Sequence, residues 1–491
     1  TVRGAFYRVN YDYKGKYLFE TNGRYDGSSK FPKKNRFGFF PSVSVGWNIA
    51  RENFMKPVAG DWLSDLKLRG TWGQIGNQGI DPYKFVPTMS QVEKKDVAWL
   101  VNGAKPLTLN APGLVSDSFT WETVETLDFG FDITALNGRL QSTFDWYRRD
   151  TKDMLAPGAE LPSVVGASAP LQNTADLRTK GWELSLTWRD RIGAWGYNVG
   201  FNLYDSKTVV TKYHNESKII LKSDGTNNYY EGYEIGSIWG YVTDGYYTAD
   251  DFEDTNTWKL KEGVVDSSPL SDTPRPGNAK FKKLTPVDPN STNPYQLTEA
   301  DRTVIGNTTP KFSGGFGLNA TYKGFDMSMF FNFMYDFDVL NANKIMLTTW
   351  ADNKENNFLM DIASDKRWRN FDDMGNEIRY SPEVLAEFNK NATMWNPTSI
   401  GRPICMSYAV EDGSFLRLNS ATLGYTLPSV WTKKVGLSKV RFYVSGNNLF
   451  TLTGYSGYDP EVNIATGLTP NIDYDRYPRS RTYTFGAQLT F

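Results

Sequence analysis

The densest run of chemistry-bearing side chains in this sequence is aromatic. Tyr229, Tyr230, Tyr233, Trp239, Tyr241, Tyr246 and Tyr247 crowd one stretch, and Trp99, Trp350, Trp368 and Trp395 stand in other long connecting segments. Flat rings cover the C–H faces of sugars and bury much area at little side-chain entropy. The 229–247 cluster is therefore the candidate substrate-binding patch. The same rings have a structural reading, because connections of this length need cores of their own.

Catalytic chemistry has little to stand on. His214 is the only histidine and Cys405 the only cysteine, which removes His/Cys zinc clusters, HExxH proteases, Ser-His-Asp triads and any internal disulfide. Carboxylates are plentiful, but nothing in the sequence sets two of them at glycosidase spacing. Gly314-Gly315-Phe316-Gly317 sits inside an alternating strand and lacks the helix that a dinucleotide loop requires. Asp288 to Glu299 offers oxygen ligands at positions 1, 3, 5 and 12 of a calcium loop. Thr292 replaces a carboxylate there, Asn293 replaces the position-6 glycine, and Pro294 follows, so a metal-free turn is expected. Neither enzyme activity, nor a cofactor, nor a metal is predicted. Arg8, Asp12, Glu20, Arg24, Asp128 and Asp132 either line a wet path or pair with neighbouring strands or with a domain filling the interior, and pairing is the expectation.

The elements that carry these groups alternate with period two, the signature of strands with one apolar and one polar face. Tyr483, Phe485, Ala487, Leu489 and Phe491 point one way, and Thr484, Gly486, Gln488 and Thr490 the other. A strand between lipid and a wet lumen wants this pattern, and a soluble edge strand ending on Phe invites aggregation. Tyr483, Phe485, Leu489 and Phe491 are read as a membrane-assembly signal. The pattern recurs at 5–13, 17–25, 43–49, 66–72, 127–133, 140–146, 182–188, 195–203, 312–320, 327–335, 423–427 and 440–444. Asn137-Gly138 is the strongest hairpin signal among the turns. No apolar run approaches the length of a membrane helix. A net charge of -1 gives no case for nucleic acid.

The spacing of connections decides between a soluble sandwich and a membrane barrel. Short turns near 15, 138, 192 and 323 alternate with long connections at 76–118, 154–174, 210–309, 339–410 and 453–478. The segments 51–62 and 429–437 are intermediate and fall on the short side. With the last strand ending in the periplasm, every long connection lands outside, as in outer-membrane barrels. About thirteen strands are read, an odd number, whereas single-chain bacterial barrels have even ones. An open edge in hydrocarbon leaves N–H and C=O groups unpaired at roughly several kcal/mol each. The remaining strands are expected upstream of Thr1, where the chain opens directly on a strand-like stretch.

Several short stretches resemble the C-terminal half of SusC/RagA-type TonB-dependent outer-membrane transporters. They are 24–31 (Arg-Tyr-Asp-Gly-Ser-Ser-Lys-Phe), 40–47, 66–73 with 76–78, 121–123, 413–418, 423–425, 447–450, 457–462 and 477–486. Together they span nearly the whole chain, in the family's order. The resemblance implies a transmembrane antiparallel β-barrel of about 22 strands, occluded by an N-terminal plug and powered by the TonB complex. It implies a SusD-like surface lipoprotein as lid, multi-pass location in the outer membrane, contact with its lipid, and uptake of oligosaccharides. The alternative cargo is peptide, as in the RagA type. A soluble all-β glycan-binding protein or glycosidase, and an ungated porin or adhesin, are the other readings. The plug, the TonB-contacting segment and the early strands are not in this sequence.

Overall fold

The structure is a computed structural model. It describes residues 1–491 except 61, 93–98, 117, 159–160, 168, 214–218, 221–228, 255, 272, 349–365, 401–403, 463–471 and 475–476. Thirteen strands form one antiparallel sheet in sequence order. They are β1 Val2–Tyr13, β2 Tyr17–Ser28, β3 Phe37–Asn48, β4 Leu63–Asn77, β5 Glu122–Ala135, β6 Leu140–Pro157 and β7 Leu171–Ile192. The series continues with β8 Trp195–Tyr213, β9 Phe312–Tyr322, β10 Phe325–Tyr335, β11 Phe415–Thr426, β12 Lys439–Thr453 and β13 Thr482–Thr490. Every alternating run read from the sequence is one of these strands. No helix among the described residues is long and apolar enough to cross a membrane.

Register carries the alternation from strand to strand. One row runs Tyr17, Trp47, Leu68, Phe131, Phe144, Leu184 and Leu203 across β2 to β8. Another runs Val199, Leu318, Met329 and Ala421 across β8 to β11. Val444 and Phe485 pair across β12 and β13. One-residue slips would turn these side chains to the polar face, so the shared apolar face fixes the register. Stacked neighbours such as Phe316–Phe331 at 4.5 Å and Phe131–Phe144 at 5.4 Å fill it. Tyr483, Phe485, Leu489 and Phe491 are 62%, 81%, 51% and 89% exposed, which leaves no second sheet packed on that stripe. Trp47, Trp146 and Trp188 sit near the ends of the apolar band on the same face, the place of an aromatic girdle.

The opposite face is polar and ion-paired. Arg8 bonds Glu20 at 2.8 Å, Arg24 bonds Asp26 at 3.0 Å, and Arg69 joins Asp132 at 2.9 Å to Asp145 at 2.8 Å. Asp12 accepts from the Gly15 amide at 2.6 Å and caps the first turn. Asp128 has no hydrogen-bond partner among the described residues and faces the Asp145–Arg69 pair.

The two rims differ. Turns 14–16, 49–62, 136–139, 193–194, 323–324 and 427–438 lie at one, and segments 29–36, 78–121, 158–170, 214–311, 336–414 and 454–481 at the other. Lys323-Gly324 take positive φ at both positions (45° and 91°), the backbone of the two-residue turn that matches strand twist, whereas Asn137-Gly138 (58° and 78°) follow Leu136 at 54° in a four-residue loop between Ala135 and Leu140. Strands near the long loops run farther than the sequence pattern reaches. The expected strand at 182–188 occupies Leu171–Ile192, and β6 and β8 extend to Pro157 and Tyr213. Beyond Trp146, outward positions become Arg148 and Asp150, so hydrogen bonding continues where hydrophobic alternation has stopped.

Candidate functional site in the outer loops

The two longest connections fold into each other. Short strand Ser237–Gly240 pairs with Thr303–Asn307, and Thr243–Tyr246 with Ala279–Phe281. Asp338–Asn341 pairs antiparallel with Val410–Asp412 and parallel with Ile472–Asp473. The Tyr241 amide donates to the Cys405 carbonyl, and the Ser407 amide to Tyr241, both at 3.0 Å. Ile238, Tyr241, Phe281, Leu340, Trp395 and Met406 form one buried cluster drawn from both connections. The loops therefore make a packed body above the wall.

This packing divides the candidate aromatics. Tyr241 is buried against Phe281, with the Arg302 guanidinium over its ring. Tyr246 packs on Trp368 at 5.0 Å and donates its hydroxyl to the Ala392 carbonyl. Tyr247 is fully buried with Phe252; its hydroxyl donates to the Val265 carbonyl at 2.6 Å and accepts from the Ser267 amide at 3.0 Å. Burial pushes that hydroxyl up to about 12. Trp368 and Trp395 are buried as well, whereas Trp99 is exposed.

Tyr230, Tyr233 and Trp239 are brought together differently. Trp239 lies 4.1 Å from the Tyr230 ring and 4.9 Å from Tyr233, and the two tyrosines are 6.0 Å apart. Tyr233 is 47% exposed. Residues 232–235 lengthen the wall, since the Val210 amide donates to the Tyr233 carbonyl and the Ile235 amide to Thr208. Glu234 pairs there with Val209 and meets Lys207 at 3.1 Å on the outer surface. Tyr233 thus lies opposite Val210, whose buried side chain falls on the inner side by the alternation of β8. Tyr229 pairs with Ile220 through its backbone. Trp350 and His214 lie outside the described residues.

Electrostatics in the loops serve structure. Asp288 accepts from the Asn290 amide at 2.9 Å, while Glu299 is exposed and meets Arg302 at 3.6 Å. The two ends of the calcium-loop stretch thus have separate partners. The buried carboxylate nearby is Asp301, which sequence reasoning passed over. It accepts from the Leu284, Thr285 and Thr298 amides at 2.8–2.9 Å and from the Thr285 hydroxyl at 2.7 Å. Burial alone would raise this carboxyl, but the donors outweigh it and hold it well below the usual carboxylate range. Burial also pushes the Cys405 thiol up to about 12, so it is a poor nucleophile at neutral pH.

A second network ties the last loop to the wall. Arg417 of β11 is buried and donates to Asp459 at 2.5 Å, with Glu461 at 3.7 Å. Arg479 reaches Glu461 at 3.0 Å and Asp459 at 3.4 Å. Glu411 accepts from the Ser456 amide and hydroxyl and from Asn341, with Lys344 at 3.3 Å. The sequence marks 413–418, 457–462 and 477–486 as motifs, but not that their charges meet.

One antiparallel wall with an apolar outer face and long connections at one rim is the wall of an outer-membrane β-barrel. The chain belongs to the TonB dependent receptor-like, beta-barrel family, whose model matches residues 1–449. It is 34% identical over 501 residues to TonB-dependent receptor P3 of Formosa agariphila, covering 99% of this chain and 45% of that protein. To TonB-dependent receptor SusC of Bacteroides thetaiotaomicron it is 28% identical over 507 residues, covering 100% and 44%. Its fold is similar to the RagAB peptide importer in the 'closed-closed' state, with a TM-score of 0.76 at 23% identity, covering 100% of this chain and 48% of that one. This chain therefore spans a little under half the length of these proteins.

Proposed function

We propose that this chain is the C-terminal barrel portion of a SusC/RagA-type importer that takes up oligosaccharides. Among the described residues, strands β1 and β13 each leave one edge unpaired. In a bilayer those edges need partners, which N-terminal strands of the same transporter would supply, together with the plug. A SusD-like lipoprotein would cover the loop body, and the TonB complex would act through the N-terminal part. The wall and loops supply position and binding surface, and no covalent step is assigned to them.

The observation that carries the cargo reading is the Tyr230–Tyr233–Trp239 triad. Its rings meet at two steep angles, 72° and 74°, and Tyr233 stays open on the inner side of the wall. Such a surface stacks on sugar faces without needing charge. The test is native mass spectrometry and calorimetry of the full-length transporter with its lipoprotein, against pools of oligosaccharides and of peptides. A retained oligosaccharide whose affinity drops about tenfold in Trp239→Ala, one ring contact's worth, supports the reading. A retained peptide, or indifference to Trp239→Ala, overturns it.

A further inference from the structure

The apolar outer face of β6, β7 and β8 ends at one level. On β8 it runs from Trp195 to Leu203, close to the roughly 9–11 residues that a tilted strand needs to cross a bilayer. Directly above Trp146 and Trp182, the next outward positions are Arg148, Lys180 and Lys207, paired across the three strands, and then Asp150, Arg178 and Val209. The cations stand outermost. Arg178, Lys180 and Lys207 are exposed, while the Asp150 carboxylate is buried between Arg148 at 3.1 Å and Arg178 at 2.5 Å. Lys207 meets Glu234, and Lys180 forms no ion pair among the described residues.

Arg178, Lys180, Lys207, Val209 and Glu234 line an open groove of about 440 Å³ whose lower wall is Trp146 and Trp182. Asp205 also lines it, with one buried carboxylate oxygen that finds no donor among the described residues. Such an oxygen costs free energy unless something donates to it. Exposed cations over an indole floor at the lipid–water boundary match a phosphate headgroup with acyl chains below it. The unsatisfied acceptor beside them matches a headgroup that also carries hydroxyl or amine donors.

We propose that this groove binds a phosphate-bearing glycolipid of the outer leaflet. Arg178, Lys180 and Lys207 take the phosphate, Asp205 accepts from a sugar hydroxyl or amine, and the acyl chains lie along Trp146, Trp182 and the apolar rows below.

The full-length transporter in detergent tests this by native mass spectrometry, titrated with a phosphorylated glucosamine-disaccharide lipid, its dephosphorylated form and phosphatidylglycerol. The expected result is saturation by the phosphorylated glycolipid at a concentration at least about tenfold lower than for the other two, as removal of charge-assisted bonds implies. R178Q/K180Q/K207Q removes that preference, and K323Q, at the opposite rim, keeps it. Heat-modifiable gel mobility reports whether the triple variant folds. Should it not fold, D205N replaces it, and is expected to weaken the glycolipid severalfold while leaving phosphatidylglycerol unchanged. Equal binding with and without the phosphates, or binding insensitive to these variants, would overturn the proposal, as would phosphatidylglycerol binding as tightly as the glycolipid.

Discussion

Arg417, on strand β11, is 1% exposed and donates to Asp459, which lies forty-two residues farther along in the last outer loop, at 2.5 Å. A guanidinium so far from water is tolerable only while its carboxylate partners stay in place. The pair therefore makes the seating of the 454–481 loop a condition for burying Arg417.

Removing one partner should expose this dependence. Asp459→Ala is expected to destabilise the loop region by about 3–5 kcal/mol, the usual cost of leaving a buried charge unpaired. Proteolysis between Thr453 and Thr482 should speed up accordingly. Arg417→Leu combined with Asp459→Leu should be much milder, because no orphan charge remains. Proteolysis rates of the full-length protein, followed by mass spectrometry, check both.

Asp301 gives the loop body a pH dependence of known sign. Its folded carboxyl is depressed below its unfolded value, so its stabilisation is complete above the ordinary carboxylate range, about pH 4. That contribution is lost as pH falls below this range. Asp301→Asn should cost about 2–3 kcal/mol at pH 7, as loss of hydrogen bonds to a charged acceptor does, and the difference from wild type should shrink as pH is lowered. Thermal melts at pH 7, 5 and 3 measure it. A constant difference across that range would remove Asp301 from the account.

Gly277 and Gly263 separate backbone strain from packing. Both have positive φ, 85° and 87°. A Cβ on Gly277 would overlap the Trp368 ring, whereas a Cβ on Gly263 meets nothing within 4 Å. Gly263→Ala should cost only the left-handed backbone penalty, on the order of 1 kcal/mol. Gly277→Ala should cost several times more, because Trp368 and Tyr246 must move. The difference in melting temperature between the two variants is the readout.

The strand count and the placement of long loops were legible because the bilayer imposes period two wherever a strand touches lipid. Met327, Met329, Phe331 and Phe333 cannot be read any other way once Phe325 and Tyr335 bracket them. Strand ends were not legible, since Lys180 and Lys207 continue the ladder above the bilayer, where charge replaces hydrophobicity. The loop interior was hidden for another reason. Tyr233 and Tyr247 are the same residue type fourteen positions apart, and only contacts with Trp239 in one case and Phe252 in the other decide which is open. Arg417 lay outside every strand expected from the alternation, and only the fold places Asp459 against it.

The central claim is that alternate residues of each strand face lipid and the others a wet or protein-filled interior. Single spin labels at 326 to 333 of β10, in the full-length protein reconstituted in bilayers with Cys405 replaced by serine, test it most directly. Labels at 327, 329, 331 and 333 should collide with lipid-soluble oxygen, and those at 326, 328, 330 and 332 should be shielded from it. A period of two is the predicted result; uniform oxygen accessibility along β10, or equal access of both sets to an aqueous quencher, would contradict it.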